Sequence, residues 1–310
     1  MNGPGGGRGR PPAARRIFEK DGRGASSFLG WPHPEFLIEV YEPKAEDFWL
    51  DPAARAALLG RFVREEAPGR WASPCPGPDP SLGERAAGKL GDGSFFQVVL
   101  RGGGRIEFPS RGRPRFYTKD GRPFGRDLES LDPEELFYLD PWAPWNWTRE
   151  GQAALAAGAE WARAPYGDFL ARVLEVTGPG NPPGAVLYDP ASQLMEWLGF
   201  ETFVELLVAE PDLAEECLRA LERGTVALGE DLARAGAAFW VLAAPHTGAD
   251  TLSKKAWERF VGPIDGDLVR TLSRGGLGVY ALLPPSWEDR KGEILSLGFA
   301  GWIEEEGSGR

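Results

Sequence analysis

Thiolate and imidazole donors are scarce in this chain, which has only two cysteines, Cys75 and Cys217, and two histidines, His33 and His246. The cysteines stand far apart in unrelated contexts, which excludes a disulfide framework and a thiolate-rich metal site and points to a reducing compartment. Long apolar runs are missing too. No stretch approaches the roughly 20 residues of a membrane-crossing helix, and no hydrophobic segment follows the charges near the N-terminus, so neither a membrane span nor a secretion signal is expected. Surplus positive charge is absent: 35 Lys and Arg stand against 46 Asp and Glu, a formal charge of −11. A nucleic-acid partner needs clustered cations over a large face, so none is expected. A small-molecule partner and a cytoplasmic location fit this balance.

What is present is ordinary globular material. The 310 residues are 42% hydrophobic and 26% charged, enough for a sizeable core, and 42 glycines with 28 prolines announce many turns. Residues 1–16, rich in Gly, Pro and Arg, read as a flexible basic tail. The rest, 17–310, reads as one domain with an irregular aromatic-rich part, 17–150, and a regular part, 151–310. In the irregular part, Phe95–Leu100 and Arg105–Phe108 look β-like, and Lys119-Asp120-Gly121 suggests a hairpin. Trp142, Trp145 and Trp147, interrupted by prolines, suggest a loop pinned by indoles or a ring-binding platform.

From Ala185 onward short apolar runs alternate with amphipathic segments of helical length, the pattern of βα units on a parallel sheet. The expected strands are Ala185–Tyr188, Phe239–Ala243, Leu277–Leu283 and Ile294–Ile303. Asp189-Pro190 opens a helix with Leu194, Trp197, Leu198, Phe203, Val204 and Leu207 on its apolar side. Pro211 starts another, in which Leu213, Cys217, Leu221, Leu228 and Leu232 recur at spacings of four and seven before Gly236 closes it. Cys217 is therefore expected in the core. Pro263 is expected to kink or break the helix that carries Trp257, Phe260, Ile264, Leu268 and Leu272.

Three segments carry a family likeness: Asp189-Pro190-Ala191-Ser192-Gln193-Leu194-Met195-Glu196-Trp197-Leu198-Gly199-Phe200-Glu201; Pro211-Asp212-Leu213-Ala214-Glu215, leading to Ala235-Gly236-Ala237; and His246-Thr247-Gly248 through Leu252-Ser253 to Phe260-Val261-Gly262-Pro263. Their order resembles the uroporphyrinogen decarboxylase superfamily, which also includes corrinoid-dependent methyltransferases. The resemblance implies a (β/α)₈ barrel, incomplete here because only six strand candidates are visible, with the ligand at the C-terminal ends of the strands. It also implies decarboxylation of a tetrapyrrole or another polycarboxylated molecule without metal or organic cofactor: a ring is protonated as a carboxylate leaves as CO₂. The family's Arg-Gln-Ala-Gly-Arg element has no counterpart; Phe28 to Glu35, in its place, holds no arginine. Nor does the family's late histidine have one. The methyltransferases' zinc site needs a His-x-Cys pair, and Pro284-Pro285-Ser286-Trp287-Glu288 stands there instead, so no metal is expected.

The candidate catalytic residues are His246, His33 and Asp140; the candidate substrate-binding residues are Trp197, Asp189 and Asp250. Both histidines follow strand-like runs, where an imidazole at a barrel mouth serves as acid, base or carboxylate ligand, and one cleft is expected to hold the two. Asp140 stands loosely where the family has its catalytic aspartate, and Trp197 where the decarboxylases have tyrosine. Each has a plainer reading: a loop hydrogen bond for the histidines, a turn or helix cap for the aspartates, core packing for Trp197. Glu304, Glu305 and Glu306 read as a solvated tail. The rival to an enzyme is a catalytically silent ligand-binding or dimer-partner protein, and a homodimer is left open.

Overall fold

The computed structural model describes residues 14–19, 27–30, 32, 34–44, 47–48, 51–66, 69–73, 83–90, 93–100, 105–109, 115–117, 166–244, 246–249, 251–283 and 290–304. Seven strands form a closed barrel. They are β1 (Ala14–Glu19), β2 (Ser27–Gly30), β3 (Arg70–Ser73), β8 (Gly184–Tyr188), β9 (Trp240–Ala243), β10 (Val279–Leu283) and β11 (Gly301–Glu304). From β2 through β3, β8, β9 and β10 to β11, each strand is parallel to the next, and β1 closes the ring by pairing antiparallel with both β11 and β2. The joints β2/β3 and β3/β8 are the thinnest, with two register pairs each. Between β3 and β8 in sequence, β4 (Gly83–Leu90), β5 (Gly93–Leu100), β6 (Arg105–Pro109) and β7 (Arg115–Tyr117) form a separate antiparallel sheet in chain order. The incomplete barrel expected from the sequence is thus found, with six parallel strands and one reversed.

Alternation along the strands divides the apolar residues into two cores. Ile17, Leu29, Ala72, Val186, Tyr188, Val241, Ala243, Tyr280 and Ile303 fill the lumen. Their neighbours Trp71, Ala185, Leu187, Trp240, Leu242, Val279 and Ala281 face outward and join the helices in a larger core. Those helices are α1 (Pro34–Tyr41), α2 (Pro52–Glu66), α3 (166–177), α4 (Pro190–Leu198), α5 (Phe200–Ala209), α6 (Pro211–Ala235), α7 (Lys254–Ala256), α8 (Gly262–Ser273) and α9 (Lys291–Ser296).

Pro211 opens α6 and Gly236, at φ 105°, ends it, as expected. Cys217 lies in the core. The single helix expected over Leu194 to Leu207 is two, because Gly199 adopts φ 78° between α4 and α5. At Pro263 the regular α-helical bonding is interrupted, as expected of an interior proline, although the helix does not end there. Lacking an amide hydrogen, Pro263 cannot bond the carbonyl of Arg259; instead Trp257–Val261 widens into one π turn, closed by the Gly262 amide on the Trp257 carbonyl, and the helix continues. The strand expected over Ile294–Ile303 is corrected: Ile294 belongs to α9, Gly298 turns the chain at φ 111°, and only Gly301–Glu304 pairs in the sheet. β1 includes Ala14, Arg15 and Arg16, the last residues of the stretch expected as a tail. The hairpin expected at Lys119 and the tryptophan loop lie outside the described residues.

The floor of the barrel, at the N-terminal ends of the parallel strands, is polar and satisfied. Arg70 donates to Glu19 Oε1 at 2.9 Å and to the Tyr280 hydroxyl at 3.0 Å, and its guanidinium lies 5.1 Å from the Phe239 and Tyr280 ring centroids. The Tyr280 hydroxyl in turn donates to Glu19. Gly301 lets β1 close over this floor: a Cβ there would stand 1.9 Å from the Phe18 carbonyl oxygen, a backbone atom that only a shift of β1 can move. Gly301→Ala is therefore expected to cost about 3 kcal/mol or more. Gly292→Ala, with nothing within 4 Å of its added Cβ on α9, is expected to be neutral or to gain up to about 1 kcal/mol. Urea denaturation of the two variants checks the contrast.

Candidate functional site

At the C-terminal end of β8 the alternation sends Tyr188 into the lumen and Asp189 outward, under the first turn of α4. Asp189 adopts extended backbone, φ −66° and ψ 146°, and one carboxylate oxygen, Oδ2, accepts the amides of Ala191 at 3.1 Å and Ser192 at 3.0 Å. Asp-Pro at this point is a helix-starting pair, with the cap at Asp189 and the donorless Pro190 in the first turn. The other oxygen, Oδ1, is buried without a hydrogen-bond partner, and the residue is 0% exposed. Burial pushes the Asp189 carboxyl up to about 6, against the opposing pull of the Ser192 hydroxyl and amide and of His246.

His246 reaches the same place from β9. Its amide donates to Ser192 Oγ at 3.2 Å, fixing the turn after β9 to the first turn of α4. The remainder of that loop is held from below and from the side. The Thr247 hydroxyl donates to the Ala244 carbonyl, Thr251 and Leu252 amides converge on Gly248, and Ser253 caps α7 through the Ala256 amide. Arg290, buried at the start of α9, donates to the Leu252 carbonyl at 2.6 Å, and Lys254 pairs with Glu293. The loop bearing His246 is thus bound to the units on both sides, and His246, a half-buried residue, follows β9 at the end of the barrel where ligand-binding groups are found in such folds.

A second carboxyl lies nearby in the helix layer. Asp265 on α8 is buried, and its Oδ1 also lacks a partner. Gln193 Nε2 on α4 donates to the Tyr188 carbonyl at 2.8 Å and to the Thr225 hydroxyl at 3.1 Å, tying β8, α4 and α6 together.

Of the residues singled out in the sequence, the structure brings together His246 and Asp189. His33, Asp140 and Asp250 lie outside the described residues, as does the side chain of Trp197, whose backbone is in α4. Glu304 is no solvated tail residue: it accepts from Lys291 at 2.5 Å and from Trp302 Nε1 at 2.7 Å. Sequence reasoning missed Ser192, although Asp-Pro-x-Ser places a hydroxyl in the first turn beside the cap. It also missed Asp265, although a carboxylate interrupts the apolar series Val261, Ile264, Leu268, Leu272.

Among the described residues no group of three or more His, Cys, Asp or Glu side chains is arranged to hold a metal. Cys217 faces the core, where burial pushes its thiol up to about 12, the reverse of what a thiolate ligand requires. No helix among the described residues is long and apolar enough to cross a membrane.

No protein-family model matches the chain, and no curated protein matches it. Among solved structures it is similar to a methyltransferase from Methanosarcina mazei, at 12% identity and a TM-score of 0.52, over 86% of this chain. The chain spans 66% of that methyltransferase's length. At such identity the likeness shows the fold: an α/β barrel.

The raised Asp189 pKa fixes a sign. Folded, the carboxyl holds its proton up to about 6, against 3.8 unfolded, so between these values the folded state binds more proton and stability falls as pH rises. Asp189→Asn keeps an oxygen for the two cap amides and removes the titration. It is expected to be more stable than the parent at pH 7 by up to about 3 kcal/mol, and equal to it near pH 4. Urea midpoints at the two pH values decide; a parent that is the more stable at pH 7 contradicts the reading.

Proposed function

We propose that the chain is a barrel enzyme related to uroporphyrinogen decarboxylase, acting on a carboxylated small molecule by proton transfer at the rim above β8 and β9. One observation carries this reading: a fully buried carboxyl, with one oxygen fixed by a helix cap and the other open, lies within electrostatic reach of a rim histidine. His246 is the group that meets the substrate. Asp189 beneath it supplies a negative charge that stabilises the imidazolium, as a carboxylate does behind a general acid. A carboxyl poised near 6 changes charge close to neutrality, which suits repeated protonation and deprotonation of its neighbour.

In a decarboxylation the bond from carbon to carboxylate breaks, CO₂ departs, and the carbon left behind takes a proton. His246 as imidazolium gives that proton and recovers it from water. No residue beyond the acid and its buried counter-charge is required for this balance. The substrate class comes from the resemblance of the Asp189, Pro211 and His246 segments to the decarboxylase family.

A second reading, methyl transfer, draws on the likeness to the Methanosarcina mazei methyltransferase. Zinc held by thiolates does not fit the described residues, among which the one cysteine, Cys217, is sealed in the core. Incubation with a methylated corrinoid and a thiol, followed by mass spectrometry of the thiol, tests that reading directly.

The test of the first reading is anaerobic incubation with uroporphyrinogen III and chromatography for coproporphyrinogen. Turnover is expected in the parent, with kcat in His246→Gln lower by about 10²–10⁴-fold. A folded parent that leaves uroporphyrinogen III intact sinks the tetrapyrrole assignment.

A further inference from the structure

The backbone pairing between β8 and β9 ends where the Asp189 amide donates to the Ala243 carbonyl at 2.9 Å. Beyond that bond the two chains part, one into α4 and the other into the loop of His246. Three residues farther along each, a side chain takes over from the backbone: the His246 amide donates to Ser192 Oγ at 3.2 Å. Ser192 also gives its own amide to Asp189 Oδ2 at 3.0 Å. One residue is thus bonded both to the capping acid and to the histidine's backbone.

Packing does not explain a hydroxyl here. Ser192 is 0% exposed, and Ala191, Leu194 and Met195 of the same helix are buried beside it in sequence, so an apolar residue of similar size would leave no polar atom to satisfy. Burial also removes a nucleophile's role, since the hydroxyl meets no substrate and acts only through its neighbours. A serine hydroxyl has one proton to give and lone pairs to receive, and the His246 amide takes a lone pair. The carbonyls that a serine early in a helix ordinarily seeks already accept from Gln193: Tyr188 from its Nε2 at 2.8 Å, Asp189 from its amide at 3.1 Å. The Asp189 carboxyl is left for the proton, and the Ser192 hydroxyl is among the groups that draw this acid toward its ionised form against burial.

We propose that Ser192 is a positioning residue for the proton step: its hydroxyl holds the His246 amide and turns its own proton to Asp189, so that one side chain sets both the place of the histidine and the charge of the acid that serves it. This rests on His246 as the working group of the proposed site.

The test uses the full chain without substrate. In NMR hydrogen exchange of the parent, the His246 amide is expected to be protected, as a bond to a buried acceptor requires. An amide that exchanges freely overturns the proposal, even if the variants do not fold. The two imidazoles are told apart in proton NMR with His33→Gln. In Ser192→Ala, Asp189 loses a donor to its ionised form, and the His246 midpoint is expected to fall by about 0.5–1 pH unit. Ser192→Thr keeps the hydroxyl and is expected to restore the parent midpoint; a folded Thr variant with a midpoint as low as that of Ala overturns the proposal. In an Asp189→Asn background there is no charge for the hydroxyl to favour, so adding Ser192→Ala is expected to leave the midpoint where it was. An equal fall in both backgrounds, as simple loosening of a packed turn gives, overturns the proposal, and so does no fall in either. Because none of these measurements involves turnover, failure with uroporphyrinogen III counts against the proposed activity and leaves this assignment of Ser192 standing.

Discussion

Closure by β1 is the constraint on which the rest depends. Six parallel strands from β2 to β11 would leave two open edges, and one strand running the other way satisfies both, with four register pairs to β11 and four to β2. A sheet without edges must separate an inside from an outside, which is why the apolar residues of one strand divide between lumen and helix layer. Closure also fixes the ends. The turns after β8, β9 and β10 must leave from one rim, and so the cap of α4, the loop of His246 and the start of α9 meet there.

How much of this was legible depends on whether the signal was local. Asp189-Pro190, Pro211 and Gly236 mark helix ends by their own backbone chemistry, and the structure agrees with each. β8, β9 and β10 were legible because an uninterrupted apolar run is what a strand buried on both faces requires. Ile294 was not, since a short apolar run suits a buried helix as well as a strand, and the turn at Gly298 decided between them. β1 was hidden for a different reason: Arg15 and Arg16 give it the look of a basic tail, yet Arg15 is buried and Arg16 pairs in register with Glu304. Such a strand is defined by distant partners rather than by its own residues.

The site was half legible. His246 and Asp189 stand out as polar residues directly after apolar runs. Their association was not readable, because Ser192 joins them through a hydrogen bond spanning 54 positions. Asp265 carried a signal of another kind, a carboxylate within an apolar helical series, and it has meaning only once something is known to lie opposite.

Two polar clusters, one at each end of the barrel, show why the buried acids call for a chemical explanation. At the floor, Arg70, Glu19 and Tyr280 bond one another, and the Arg70 and Glu19 side chains keep 37% and 40% of their exposure, so charge costs little there and joins three strands. Near the rim, Asp189 and Asp265 are sealed from water with an oxygen each unmatched, an arrangement that apolar residues of similar size would relieve. Stability explains the first cluster and argues against the second. In parallel barrels the floor is where structure is secured and the rim is where ligands are handled.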